Sequence, residues 1–281
     1  KNKWILKKNI RKITEKLKID LYTHVCDNKE SQDIFRSFFL AGVPEVDGPT
    51  DIALVEVMFR AASKYNITYV LEGHSFLAEG VSPLGTAYVD GKYIQSIHNK
   101  FGKIPMKTFP NMNLVKFLYW SVFKNIKKIR PFWYFNYSKD EAKKILKDNF
   151  DWVDYGGHHL ENRMTAFHHS YYNPIKFDLD QRNNSLAAKV RSGLLSRDKA
   201  LEEYSKPPFL EKNLEEYIQK RFEMSKIEFE NTLKSPKKYY TDYKTYKRSF
   251  ELLKPLFYLL VKFNFVPMSF YVKYCFPLKK K

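Results

Sequence analysis

With 281 residues the chain is long enough for one large domain or two small ones, and an apolar fraction of 44%, carrying 23 Phe, 20 Tyr and 4 Trp, excludes the disordered class. Lys and Arg outnumber Asp and Glu by 49 to 31, a formal charge of +18, which favours polyanions: nucleotides, sugar nucleotides, nucleic acids or anionic lipids. No run reaches the ~18 uninterrupted apolar residues of a spanning helix, and the opening lacks the charged-then-apolar pattern of a secretory signal, so the sequence reads as cytoplasmic.

The helical pattern starts almost at Lys1 with no capped entry, which reads as a chain that begins inside a domain. Ile5, Ile10, Ile13 and Leu17 form one apolar stripe, so residues 5–18 are predicted helical. Residues 21–26 are a short run of strand formers, and a helix is predicted at 30–41. After the turn-rich stretch Gly42 to Gly48, Thr50 and Asp51 are read as caps of a helix at 52–64, because side-chain oxygens there can accept its free N–H groups. Ile67 to Leu71 reads as a fully buried strand. Alternating strands and helices of this length point to a parallel sheet covered on both faces, with ligands gathering beyond the strands' carboxyl ends. That directs attention to the loop Gly73 to Gly80.

From about residue 111 the pattern is helical: 113–127, 139–149, 160–170, 183–193, 197–204, 211–233 and 243–254, punctuated by prolines. The last stretch, Leu256 to Leu278, is aromatic and apolar but broken by Lys262, Asn264, Pro267 and Lys273; it suits a membrane surface or a helix packed on the protein. The domains predicted are 1–110 (α/β), 111–250 (helical) and 251–281 (basic aromatic tail).

Four groups carry candidate chemistry. Gly73 lets backbone approach a phosphate, and His74, Ser75 and Glu79 gather donors and an acceptor, although a plain turn explains them too. Thr50 and Asp51 could serve an anion, a hydroxyl or a hydrated Mg²⁺, or only cap. His158, His159 and Glu161 follow Gly156-Gly157 and could act as acid, base or substrate donors, or form a polar helix end. Their spacing does not match His-Glu-x-x-His, so no metal is expected. Lys176, Asp180 and Arg182 could grip a phosphate or sugar carboxylate, or pair on the surface. Cys26 and Cys275 have no partner at metal or disulfide spacing. The Walker, dinucleotide and nucleophile-elbow motifs are absent from the sequence.

Several segments in order, among them Asp20 to Val25, Pro49-Thr50-Asp51, Gly73 to Gly80, Ile97 to Gly102, Asp154 to Glu161, Lys176-Phe177 with Asp180 and Arg182, Ser196 to Glu203 and Lys206-Pro207-Pro208, resemble the N-acetyl sugar amidotransferases, a branch of the PP-loop ATP pyrophosphatases in surface-polysaccharide synthesis. The resemblance implies a Rossmann-like nucleotide-binding sheet, adenylation of an N-acetyl sugar by ATP with Mg²⁺, and ammonia from a glutaminase subunit, with its cyclase-like companion. It implies Gly73, His74 and Thr50 at the nucleotide, Asp51, His74 and Glu79 in catalysis, and His158, His159, Glu161, Lys176, Asp180 and Arg182 at the sugar or sugar nucleotide. The family's Ser-Gly-Gly-x-Asp-Ser phosphate loop and its zinc-binding cysteines would precede Lys1, so this chain alone is expected to be inactive. Two rivals stand beside it: another PP-loop activity such as tRNA thiolation, against which the basic residues are spread out rather than gathered with base-stacking aromatics, and a basic, non-catalytic protein binding nucleic acid or a membrane surface; on the main reading no nucleic-acid partner is expected.

Overall fold

The computed structural model describes residues 2–80, 87–154 and 162–277. In chain order the first helices are α1 (Asn2–Leu17), α2 (Asn28–Ala41), α3 (Gly48–Lys64), α4 (Phe76–Glu79), α5 (Gly91–Phe101) and α6 (Leu114–Leu118). They continue with α7 (Lys139–Phe150), α8 (Arg163–Phe167), α9 (Asn173–Phe177), α10 (Arg182–Arg191), α11 (Arg197–Ser205), α12 (Leu214–Phe222), α13 (Lys226–Lys234), α14 (Lys247–Leu252), α15 (Lys254–Lys262) and α16 (Met268–Tyr274). α6 and α8 run on as π-helical turns, Tyr119–Phe123 and His168–Tyr172. Two strands, β1 (Tyr69–Leu71) and β2 (Lys127–Ile129), pair in parallel with Tyr69 opposite Lys127.

The helices expected from apolar periodicity are present, but the sheet is not the one expected. Among the described residues the strands hold three residues each, and they form a single pair. The run at 21–26 forms no strand. β1 is not buried on both faces: Tyr69 and Leu71 are 60% and 70% exposed, and only Val70, between them, packs against Phe59, Ala62, Trp120 and Ile126. With one neighbour, a strand can bury every second side chain but not all of them. Its partner β2 starts at the last residue of the helix predicted at 113–127, in the region predicted mainly helical, after the π turn and a left-handed Asn125. The architecture is helical, and the predicted Rossmann-like parallel sheet is corrected accordingly.

The chain groups into two compact units, 1–23, 73–81 and 130–220 in the first, and 24–72, 82–129 and 221–281 in the second. In the first, α1 lies along α7, and the buried Asn9 exchanges two bonds with the Val153 backbone, donating from Nδ2 at 2.8 Å and accepting at Oδ1 at 3.0 Å. α4 seats against α10, and a Cβ at Gly80, whose φ is +76°, would stand 2.8 Å from the Asn184 carbonyl oxygen. Only glycine suits that left-handed position and that approach.

In the second unit α2 and α5 form the core. Ile34, Phe38 and Ala41, at i, i+4 and i+7, share one face of α2 and are buried; Tyr93, Ile94 and Ile97 answer from α5. Each such fully buried side chain stabilises by about 1.5–3 kcal/mol. Phe39 stacks on Phe229 of α13 at 4.8 Å. The aromatic tail folds back here: Phe250, Phe257, Leu260, Val266, Tyr271 and Cys275 make a second core, flanked by Leu114, Phe117, Leu118 and Val122 of the α6 segment. Among the described residues no helix is long and apolar enough to cross a membrane.

Candidate functional site

The predicted site residues fall into separate groups. His74 and Glu79 are brought together in the first unit: His74 Nδ1 accepts from Trp133 Nε1 at 3.2 Å, its Nε2 stands 3.9 Å from Glu79 Oε2, and Lys139 Nζ is 3.5 Å from Glu79 Oε1. Gly73 is exposed, and a Cβ there would meet only Phe132 at 4.0 Å. Asp180 and Arg182 pair with each other through Arg182 Nη2 and Nε at 2.6 and 3.0 Å from Oδ2, and the guanidinium also donates to the carbonyls of Glu203 and Tyr204 at 3.3 Å. That arrangement ties α10 to α11. Lys176 is buried on α9. His158, His159 and Glu161 lie outside the described residues.

Thr50 and Asp51 belong to the second unit and do not open their helix. α3 starts at Gly48 after Asp47, and Thr50 Oγ1 donates back to Asp47 Oδ1 at 2.7 Å, so both residues lie inside the first turn. Just upstream, buried Glu45 accepts from the Tyr88 N–H at 3.1 Å and from the Tyr93 hydroxyl at 3.2 Å. Burial pushes its carboxyl up to about 7, against these hydrogen bonds and the charge of Lys273, which favour the ionised form.

Among the described residues the strand-end loop builds no phosphate cradle. The helix after β1 is the single turn α4, four residues long, too short to align the free N–H groups and dipole that grip a phosphate. With neither cradle nor extended sheet, ATP, Mg²⁺ and adenylation do not fit the described fold, and the PP-loop amidotransferase reading is corrected, together with its thiolation variant.

What the second unit does build is an open cleft of about 670 Å³ between α3, α5, the 106–113 loop and the start of α6. Its wall is set by two acids of α2. Glu30 accepts from the N–H groups of Thr108 and Phe109 at 2.9 and 2.8 Å, and Asp33 from those of Lys103 and Ile104 at 2.6 and 2.9 Å. These bonds replace the ladder partners that an irregular segment lacks. The floor is Glu56 of α3, whose side chain is 1% exposed. Its Oε1 accepts from Arg60 Nη2 at 2.7 Å and Lys116 Nζ at 3.1 Å, while its Oε2 is buried with no partner among the described residues. Asn111 donates from Nδ2 to the Gly91 carbonyl at 2.9 Å, and its buried Oδ1 has no partner among the described residues. A Cβ at Gly91 would fall 1.9 Å from the Met112 carbonyl oxygen, so only glycine admits this approach.

Around these acceptors stand Arg60, Lys92, Lys107 and Lys116, four cations against the single carboxylate, together with His24, whose Nε2 lies 3.3 Å from the Thr108 carbonyl. The cleft therefore presents cations in its lining, while the acceptors without a partner among the described residues are buried behind it. None of this group was singled out in the sequence, although Glu56 stands as one carboxylate inside the apolar helical run Ile52 to Phe59, a usual sign of a buried, paired acid.

A family model described as LPS biosynthesis protein WbpG-like, C-terminal domain, matches residues 161–256, about a third of the chain. No curated protein and no solved structure matches the chain. The similarity thus touches surface-polysaccharide synthesis through the helical segment alone, and leaves the nucleotide-binding region expected at 1–110 without support.

Proposed function

We propose that this chain is a basic, non-catalytic binding protein of lipopolysaccharide synthesis, which holds a sugar bearing a phosphate or carboxylate in the cleft of its second unit. The observation that carries the reading is the set of four cations, Arg60, Lys92, Lys107 and Lys116, around a cleft whose one carboxylate, Glu56, has a buried oxygen without a partner among the described residues. A buried acceptor without a donor costs about 1–3 kcal/mol. The lysines of the lining supply charge-assisted bonds to the anionic group, and the exposed amides of Gln95 and Asn113 in the same lining serve sugar hydroxyls. The lining contains neither serine nor cysteine, and Glu56 is held by two cations, so the cleft suits holding better than bond-making. The similarity of residues 161–256 to the C-terminal domain of WbpG-like LPS biosynthesis proteins supports the setting.

Isothermal titration of the full chain with glucose 1-phosphate, inorganic phosphate and glucose tests this. Glucose 1-phosphate is expected to bind, with phosphate and glucose each at least about tenfold weaker, and Lys92→Glu with Lys107→Glu, both at exposed positions, to abolish binding. Equal affinity for phosphate alone would reduce the cleft to an anion patch and refute the sugar reading.

A further inference from the structure

The tail that packs on the second unit keeps a second apolar surface. On the nearly continuous helices α14 and α15, Phe250, Leu253, Phe257 and Leu260 face the core. Leu252, Leu256, Leu259 and Phe263 recur at i, i+4, i+7 and i+11, and are 81%, 42%, 50% and 66% exposed. A surface helix of a soluble protein ordinarily turns polar residues outward; this one is apolar on both sides. α16 repeats the pattern, with Met268, Val272 and Phe276 exposed at i, i+4 and i+8.

Charge says what covers this surface. From Leu252 to Lys281 the sequence has six lysines and no acidic residue; of these, Lys254 and Lys262 lie beside the exposed face, whereas Lys273 is largely buried near Asp51 and Glu45. Lys262 lies over the Tyr258 ring at 5.0 Å and Lys254 over the Phe276 ring at 3.6 Å, so cations flank the aromatic groups of the exposed face. A second copy of the same face would set lysines against lysines with no carboxylate to pair them, whereas anionic headgroups over an acyl boundary satisfy both the lysines and the apolar stripe. The surface is also prebuilt: Lys247 Nζ donates to the carbonyls of Tyr274 at 2.9 Å and Phe276 at 2.5 Å, fastening the end of α16 to α14.

We infer that the outer face of α15 and α16 is a membrane-docking surface that lies in the interface of an anionic bilayer without crossing it. The test is co-sedimentation of the full chain with vesicles of phosphatidylcholine alone or mixed with phosphatidylglycerol, at low and high salt. Binding is expected only to the mixed vesicles, weakening with salt, and falling about tenfold or more in Leu259→Glu/Phe263→Glu. Leu252→Asp, at the most exposed position of the stripe, gives the same direction where the double variant melts early by circular dichroism. Three results overturn the inference: no binding to the mixed vesicles, binding unaffected by either variant, or a dimer seen by sedimentation equilibrium that the variants dissolve while vesicles remain unbound. Cleft titration is independent of this surface, so either result stands without the other.

Discussion

The polar clusters of the two units differ in what they leave over. In the first unit charge meets charge: Asp180 with Arg182, Glu79 with Lys139, and Arg163 with Glu211 through Nε at 3.1 Å. These groups are partly exposed, and such pairs are worth about 0–1 kcal/mol. In the second unit Glu56 and Asn111 each hold a buried acceptor without a partner among the described residues and line a cleft with four cations against one carboxylate; Ser75 Oγ and Asn173 Oδ1 of the first unit are also buried without a partner there, but neither lines that cleft. The difference teaches that a cluster dense in charge on paper is often self-satisfied, and that binding potential resides where cations outnumber the carboxylates that could pair them.

Three substitutions test that comparison. The largest effect is expected for Gly91→Ala, whose Cβ would collide with backbone at 1.9 Å, not with a movable side-chain end. It should destabilise by about 3 kcal/mol or more in chemical denaturation and displace Asn111 from the cleft. A fully stable Gly91→Ala would mean that the cleft wall is not close-packed.

Next is Glu45. Its folded carboxyl is raised from 4.5 to about 7, so the native state binds the proton more tightly than the unfolded chain. Stability contributed by that proton is present in full below the unfolded value and is lost as pH rises through about 7. Glu45→Gln should flatten this slope and raise stability at pH 8 by on the order of 2 kcal/mol in urea titrations; an unchanged slope would assign the pH dependence to other groups.

The smallest effect is expected for Gly73→Ala. With only Phe132 at 4.0 Å from the added Cβ, the change should lie within about 0.5 kcal/mol by thermal melting. A severe loss there would restore a close backbone approach at the strand-end loop and reopen the role expected for it.

The sequence made parts of the fold legible through periodicity. α1, α2, α7, α10 and α11 lie close to the predicted spans because an apolar stripe at helical spacing has few alternatives. The break within 211–233 was not visible, because it depends on Glu223 adopting a left-handed φ of 53° between α12 and α13. The buried strand at 67–71 failed for a related reason. Its composition is that of a central strand, but burial on both faces needs neighbours that composition does not supply.

The candidate site shows the same division more sharply. His74 and Glu79 are close in sequence and do meet; Thr50 and Asp51 are in a first turn but do not cap it. Glu56, Gly91 and Asn111 are 35 and 20 residues apart and converge only because α3, α5 and the loop held by Glu30 and Asp33 pack together. By itself the sequence determined many of the helical spans, though not α5, together with the basic charge and the acid-free aromatic tail, since these follow from local spacing and composition. Tertiary structure alone decided which acceptors remain unsatisfied and which face of the tail stays outward, because both depend on what lies across the core from each side chain.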